Sequence, residues 1–166
     1  LTLISYQGND MYSNRAADER ARYAARINHM RLTQANDLLS VIVELVPKCI
    51  VMGEPDKITA FAPVLREACG GQLSLTRSEP FFLEVMPKGV DKVRGLDTLL
   101  CHMGIDASQL IAFGDGYNDA GMLRYASVGV AMRGAPPEVM QAADMVTRSN
   151  DEDGIAHALE LLSEGR

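Results

Sequence analysis

Short apolar runs alternate with helical segments throughout residues 88–162, and this alternation restricts the fold more than any other feature. Three runs, at 110–113, 128–132 and 145–147, are bounded by turn residues and are typical of buried strands. Helical spacing or helix-start signals mark the segments 90–103, 120–126, 136–143 and 153–162. Strands that alternate with helices through short loops indicate a parallel sheet of βαβ units. We therefore predict an α/β fold, with a parallel sheet over residues 88–166.

The first half of the chain has a different pattern. Apolar segments at 3–6 and 11–13 flank the turn Gln7–Asp10, which predicts a β-hairpin. Further strands are predicted at 49–52, 73–76 and 81–86, and helices at 16–30 and 55–69. This half contains no recognisable catalytic motif. We predict a separate α+β domain over residues 1–87.

Composition limits the partners. Acidic residues outnumber basic ones by 22 to 16, which gives a net charge of -6. A field of this sign repels nucleic acid and anionic membranes, and no apolar run approaches the roughly 20 residues that span a bilayer. We therefore expect neither a nucleic-acid nor a membrane partner. The three cysteines lack metal-ligand spacing, and we expect them to be buried, reduced thiols of a cytoplasmic protein.

The most informative motif follows the strand at 110–113. Asp115 and Asp119 lie in the glycine-rich turn after this strand, at the sheet edge where ligands bind in open parallel sheets. Two neighbouring carboxylates repel each other unless a cation lies close by, and oxygen ligands suit Mg²⁺. Asn118 offers a neutral group for a phosphate oxygen, and Gly114 and Gly116 are expected to let the backbone turn tightly. The alternative is that both carboxylates only shape a turn and cap a helix.

Other loop classes do not fit this turn. A dinucleotide-binding G-x-G-x-x-G motif would need glycine where Asp119 stands, and a P-loop would need a Gly-Lys-Ser/Thr string, which is absent. An EF-hand would need an acidic or amide residue at Tyr117 and glycine at Ala120.

A cation is expected near the motif because the net charge of the chain repels phosphorylated ligands. Lys92 lies in the first turn of the helix that precedes the strand, where a lysine is mildly unfavourable unless an anion balances it. Lys88 lies close by in the sequence, and the spacing alone does not choose between the two lysines.

The string FGDGYNDAGML, residues 113–123, resembles the fourth motif of the haloacid-dehalogenase superfamily. PFFLEVMPKGVDKVRGLDTLL, from residue 80, is similar to the segment that leaves the cap domain of that superfamily. GVAMRGAPPEVMQAADMVTRSNDEDGIAHAL, from residue 129, is similar to its closing segment. Together they resemble the Cof-type phosphatases, which include bacterial sugar phosphatases. The resemblance implies that residues 1–87 form the substrate-specificity cap and residues 88–166 the C-terminal part of the Rossmann-like core.

The resemblance also implies roles for individual residues. Asp115 matches the magnesium ligand of the fourth motif, and Asp119 matches an acidic position that supports the metal directly or through water. Asn118 matches the position that contacts the transferring phosphoryl group. Lys92, rather than Lys88, matches the lysine of the third motif. The implied function is magnesium-dependent hydrolysis of small phosphorylated metabolites, such as sugar phosphates, through an aspartyl-phosphate.

The sequence departs from the superfamily pattern in two places. The D-x-D-G-T/S motif that supplies the nucleophile is absent, and the nearest string, Asp151–Gly154, follows the last predicted strand. We therefore expect a C-terminal fragment that is inactive alone and that associates with a nucleophile-bearing N-terminal segment. The second departure is the string Arg133-Gly134-Ala135, where the pattern usually has Asn before the Ala, and it puts only the local loop geometry in question.

Three alternatives remain open from the sequence. The phosphorylation domain of a P-type ion pump has a nearly identical loop, although no membrane span accompanies it here. A truncated phosphatase could also survive as a non-catalytic piece that forms homo-oligomers through an unpaired strand edge. Loop motifs do not separate a phosphatase from a phosphomutase of the same superfamily.

Overall fold

The computed structural model describes residues 1–164, which form an α/β structure with a parallel sheet in the second half of the chain. The predicted fold class is confirmed. The chain divides into two compact units, Leu1–Gly89 and a second that begins at Val90. Whether the first unit serves as a specificity cap stays a prediction.

The first unit contains one six-stranded sheet in the order β3-β2-β1-β4-β6-β5. The predicted hairpin is confirmed, since β1 and β2 pair antiparallel up to Gln7 and Asp10. Strand β3 was not predicted, because its four residues lack an apolar alternation. The elements are β1 (Thr2–Gln7), β2 (Asp10–Ser13), α1 (Glu19–Ile27), β3 (Arg31–Gln34), β4 (Cys49–Met52), α2 (Pro55–Ala68), β5 (Leu73–Arg77) and β6 (Phe82–Pro87).

Two hydrophobic clusters hold this sheet between its helices. Successive side chains of a strand point to opposite faces, so Ile50 and Met52 pack with the alanine-rich face of α1, whereas Val51 packs with Ile58 of α2. The small side chains of Ala21 and Ala24 are buried in the first cluster. Both faces of the central strands are therefore covered by apolar side chains.

Asp18 caps helix α1, and its removal is expected to destabilise the first unit. Its side chain accepts hydrogen bonds from the Arg20 N–H and the Thr2 hydroxyl. Burial pushes the pKa of Asp18 up, but these hydrogen bonds outweigh it and leave the pKa below its ordinary value. Replacing a capping aspartate with alanine costs about 1 kcal/mol.

The pH dependence of Asp18→Ala provides a second check. Because the folded-state pKa is lowered, the stabilisation by Asp18 is present above the ordinary aspartate pKa and is lost as the pH falls through the folded-state pKa. Urea unfolding should show a difference between Asp18→Ala and the unmodified chain at neutral pH that shrinks in acid. Glu67→Gln, at an exposed position of α2, is the control. A difference that does not depend on pH would contradict the capping role.

The second unit contains three parallel strands in the order β7-β8-β9. Leu123 and Val139 lie in its main apolar cluster, together with Ala112 and Ala131 from the strands. All of its predicted strands and helices are present, with ends that differ by up to two residues. They are α3 (Lys92–Met103), β7 (Ile111–Gly114), α4 (Ala120–Tyr125), β8 (Val128–Ala131), α5 (Pro137–Gln141), β9 (Met145–Val146) and α6 (Gly154–Glu164).

The expectation of three buried thiols was wrong. Cys101 is exposed on α3, and Cys49 and Cys69 are only half-buried. Leu100 is the residue of α3 that is buried, so its neighbour Cys101 points away from the packed face. Within residues 1–164, no helix combines the length and apolar character needed to cross a membrane.

Candidate active site

The candidate site lies at the carboxyl end of β7. In the parallel sheet, Gly114 at the end of β7 pairs with Ala131 at the end of β8, so the loops after both strands leave the same edge. The chain then makes a 3-10 turn at Tyr117–Asp119 and enters α4 at Ala120. Loops at this edge are the common ligand-binding positions of open α/β sheets.

Asp119 organises the loop from inside it. The residue is 4% exposed. Its Oδ2 accepts hydrogen bonds from the backbone N–H groups of Asp115 and Gly116, both at 3.0 Å. Its Oδ1 accepts a hydrogen bond from the Lys92 ammonium group. Three of the roughly four acceptor positions of a carboxylate are thus engaged, and Asp119 links the loop to the start of α3.

Gly114 makes room for this carboxylate. A Cβ atom at Gly114 would lie 3.0 Å from the Cγ of Asp119 and only 2.5 Å from its Cβ, and the second distance is shorter than real contacts of a Cβ atom. The tight turn expected here is made without a left-handed backbone conformation at either glycine. Gly114 is outside the left-handed region, and Gly116 has a φ of -111°. Gly114 is needed because the buried side chain of Asp119 packs against its Cα.

Asp115 and Asn118 are the side chains of the loop that remain available. Asp115 is exposed and Asn118 is half-buried. Among residues 1–164, neither side chain has a hydrogen-bond partner, although the Asp115 N–H is bound by Asp119. The loop therefore presents one free carboxylate and one free amide at the edge of the sheet.

Lys92 is the lysine that the structure brings to the loop. It is the first residue of α3, where Asp91 caps the helix by accepting from the Arg94 N–H at 2.8 Å. A positive charge at a helix N-terminus is unfavourable unless balanced, and the Asp119 carboxylate provides the balance. The Lys92 side chain stays 47% exposed, so its remaining donors can reach a ligand. The ammonium of Lys88 has no hydrogen-bond partner within the described part of the chain.

The donor set fits a magnesium ion bound mainly by water and substrate. No cluster of three or more histidine, cysteine or acidic groups with metal-binding geometry occurs within residues 1–164. Mg²⁺ commonly takes only one or two carboxylates, keeps several waters and binds substrate phosphate. The free carboxylate of Asp115 suits this role. Since most of the Asp119 acceptor positions are occupied, its predicted support of the metal is best explained as indirect.

Arg133 is a charged residue near the motif that received no functional role from the sequence. It follows β8 at the same edge as Asp115, and its guanidinium contacts Glu152. Its position directly after a predicted strand was a signal, because residues just beyond neighbouring parallel strands lie at the same edge of the sheet. Without the strand pairing, however, the distance between Arg133 and the motif could not be known.

Comparison with known proteins decides the family. The profile of the haloacid dehalogenase-like hydrolases matches residues 1–159. The chain belongs to this family. The resemblance stated from the sequence is therefore confirmed.

Relatives and solved structures agree with this assignment. A proposed phosphatase of Haemophilus influenzae is 34% identical over 155 residues, which are 93% of this chain and 58% of the relative. A haloacid dehalogenase-like hydrolase from Bacteroides thetaiotaomicron is 38% identical with a TM-score of 0.83, over 98% of this chain and 61% of that one. A sugar phosphatase of subclass IIB is 27% identical with a TM-score of 0.82, over 98% of this chain and 60% of that one. The chain thus spans about three fifths of the length of these proteins.

Proposed function

We propose that this chain is the C-terminal part of a magnesium-dependent phosphomonoester hydrolase that acts on small phosphorylated metabolites. The arrangement of the β7 loop carries the proposal: Asp119 holds the loop and Lys92, which leaves Asp115 free at the ligand-binding edge. Sugar phosphates are the proposed substrates, and the likeness to a subclass IIB sugar phosphatase supports this choice.

We propose a separate role in phosphate binding for each residue of the site. Asp115 would hold Mg²⁺, which offsets negative charge on the phosphoryl oxygens when bound. Lys92, fixed by Asp119, would donate to a phosphoryl oxygen, and the Asn118 amide would orient a second one. The buried Asp119 carboxylate keeps Lys92 in place before substrate arrives, so no reorganisation is needed at the moment of reaction.

The nucleophile is proposed to come from outside these 166 residues. The sequence lacks the D-x-D-G-T/S motif, and the chain spans about 58% of a phosphatase relative. An aspartate of that segment would attack phosphorus and release the alcohol, and water would then cleave the aspartyl-phosphate. Transfer to a second sugar instead of water, as in a phosphomutase, would use the same groups of this chain.

Strand β7 offers a place for such a segment. Its only strand partner within residues 1–164 is β8, so one side of β7 presents unpaired backbone groups. Exposed edges of this kind accept an added strand. We propose that the nucleophile-bearing segment pairs there, which would bring its carboxylate to the carboxyl end next to Asp115. Self-association through the same edge, giving a homo-oligomer, is the alternative, and gel filtration of the 166-residue chain distinguishes the two.

We propose that the first unit, Leu1–Gly89, is a cap that selects the organic part of the substrate. A cytoplasmic location is proposed because the cysteines are free thiols, as expected in a reducing compartment.

Asp115→Asn tests the metal site. The change removes the charge of the free carboxylate and keeps its shape, and we expect the affinity for Mg²⁺ to fall roughly ten-fold or more. Isothermal titration with Mg²⁺ in the presence of inorganic phosphate measures this. Asp97→Asn is the matched control, because Asp97 is an exposed carboxylate of α3 in the same unit. Equal affinities for the Asp115→Asn variant and the unmodified chain would contradict the proposal.

Turnover tests the fragment hypothesis. The 166-residue chain is expected to release no phosphate from p-nitrophenyl phosphate with Mg²⁺, because the nucleophile is absent. Activity should appear when the chain is joined to the nucleophile-bearing segment of the Bacteroides thetaiotaomicron hydrolase, to which it is 38% identical. Hydrolysis by the chain alone, abolished by Asp115→Asn, would show that the nucleophile lies within these residues.

A further inference from the structure

A groove in the first unit lies over strand β1. Leu3 of β1 pairs with Val51 of β4, and paired residues of neighbouring strands point to the same face of a sheet. Because Val51 packs with Ile58 of α2, Leu3 lies on the face that carries α2. The apolar cluster under α2 draws its strand residues from β4, β5 and β6, and Leu3 stays 36% exposed. Helix α2 therefore leaves this face of β1 open.

The groove has a mainly apolar lining and a volume of about 520 Å³. Leu3 and Cys49 line it from the sheet, and Leu38, Leu39 and Ile42 line it from the loop that follows β3. Leu39 is 82% exposed. Exposed apolar side chains that gather in one place are typical of surfaces that bind another segment of protein.

The loop that forms the outer wall of the groove is held by hydrogen bonds. Gln7 Oε1 accepts from the Val43 N–H at 2.9 Å and from the Glu44 N–H at 3.3 Å. The Asp37 side chain accepts from the Leu39 N–H at 3.0 Å. Val43 is itself 82% exposed, so apolar burial does not hold this part of the loop. The wall therefore keeps its position without filling the groove beside it.

The chain enters β1 on the same face as the groove. Leu1 lies two residues before Leu3, and side chains two residues apart in an extended segment point to the same face. Leu1 is 41% exposed. Its Cδ2 lies 2.7 Å from the position that a Cβ of Gly53 would occupy, and Ile58 of α2 lies 3.7 Å from that same position. A polypeptide joined to Leu1 therefore starts beside α2, next to the groove.

Backbone hydrogen bonding restricts what can fill the groove. Strand β1 is paired with β2 on one side and with β4 on the other, so a further strand cannot add to it. A segment that crosses this face must satisfy its own backbone N–H and C=O groups, and a helix does so. A helix on a sheet needs one apolar stripe and is polar on its outer side. The groove therefore fits an amphipathic helix that packs beside α2.

We propose that the groove is the docking site of an amphipathic helix in the segment joined to Leu1 on its N-terminal side. The chain spans 58% of the length of the Haemophilus influenzae relative, so a protein of that length has ample residues for such a helix. This helix is separate from the strand proposed to pair with β7. The inference shares with the proposed function the premise that the chain is part of a longer protein, and it requires neither Mg²⁺ nor phosphate.

Alkylation of Cys49 by N-ethylmaleimide, followed by peptide mass spectrometry, reports whether the groove is filled. Cys49 lines the groove, and Cys69, which is also half-buried, lies at the C-terminal end of α2 and is the control thiol. The 166-residue chain is compared with a fusion in which the part of the Bacteroides thetaiotaomicron hydrolase that precedes its match is joined to Leu1. The fusion should label Cys49 at least about ten-fold more slowly, because leucine burial keeps the helix docked, and Cys69 at an unchanged rate.

A shorter fusion isolates the helix from the nucleophile. It carries only the roughly 20 residues directly before the match, enough for a helix about 30 Å long. This fusion should protect Cys49 as the longer one does, and it keeps the test available if the longer fusion does not fold. Protection of Cys49 in the longer fusion alone would overturn the inference.

Two leucines of one loop provide a matched pair of variants. Leu39 lines the groove, whereas Leu45 is fully exposed and is not part of the lining. In either fusion, Leu39→Asp should restore rapid labelling of Cys49, because a carboxylate would be buried beneath the helix. Leu45→Asp should leave labelling slow. In the 166-residue chain neither change should alter the labelling rate or the melting temperature, since both side chains are exposed.

The outcomes separate this inference from the proposed function. Turnover by the longer fusion together with rapid labelling of Cys49 would show that the inference is wrong and leave the proposed function standing. Slow labelling that Leu39→Asp reverses, without turnover, would support the helix and contradict the proposed function. Slower labelling of Cys69 as well as Cys49 would indicate a general stabilisation and contradict the inference. Labelling of Cys49 that slows as the 166-residue chain dimerises would show that a second copy fills the groove instead.

Discussion

Asp119→Ala is expected to lower the free energy of unfolding of the second unit by about 2–4 kcal/mol and to release Lys92. The change leaves the Asp115 and Gly116 N–H groups without their acceptor and removes the partner of a lysine at a helix N-terminus. Each lost acceptor costs about 1–3 kcal/mol when the donor is buried. Because the Lys92 side chain is 47% exposed, water replaces part of the lost ion pair, and we place the total below the full cost of breaking a buried pair.

Amide hydrogen exchange gives the most specific measurement of this effect. Protection of the Asp115 and Gly116 N–H groups should fall by about two orders of magnitude in Asp119→Ala, since a change of about 1.4 kcal/mol in local opening is ten-fold. Amides of β8 should change only as much as global unfolding requires. Asp97→Asn, with an exposed carboxylate that accepts from the Tyr125 hydroxyl at 2.9 Å, should leave both amides unaffected. Unchanged protection in Asp119→Ala would contradict the role of Asp119 in holding the loop.

Gly129→Ala is expected to destabilise the second unit by about 3 kcal/mol or more. A Cβ at Gly129 would lie 2.3 Å from the Leu123 carbonyl oxygen and 2.9 Å from its carbon, so the overlap is with backbone that no rotamer change can move. The chain can respond only by moving α4 away from β8. Since α4 begins directly after Asp119, this movement should also disturb the loop and weaken phosphate binding in Mg²⁺.

A second glycine of the same unit provides the matched control. Gly95 lies inside α3, and nothing is within 4 Å of the position its Cβ would occupy. Gly95→Ala should therefore stabilise the chain by about 0.5–1 kcal/mol, as expected for a glycine in a helix interior. Urea unfolding of the two variants should move in opposite directions. Equal changes in the free energy of unfolding for Gly129→Ala and Gly95→Ala would contradict the close packing of α4 on β8.

Helical and strand periodicity predicted most of the second unit. The apolar runs that became β7 and β8 are local signals, and such signals can be read from a single sequence. Strand β3 was missed because its residues are mostly polar, and pairing with β2 is what fixes it as a strand. The prediction that the cysteines are buried failed for a related reason. Burial depends on which face of a helix packs against the rest of the protein.

The sequence by itself determined the family, the α/β class and the position of the acidic motif at the end of a strand. Only the tertiary structure gave the residues of that motif different environments. It buried Asp119 against Gly114 and bound it to Lys92, left Asp115 exposed, and placed Arg133 at the same edge. The physical reason is that a motif is contiguous in the chain, whereas hydrogen-bond partners such as Lys92 lie many residues away and are brought near only by packing.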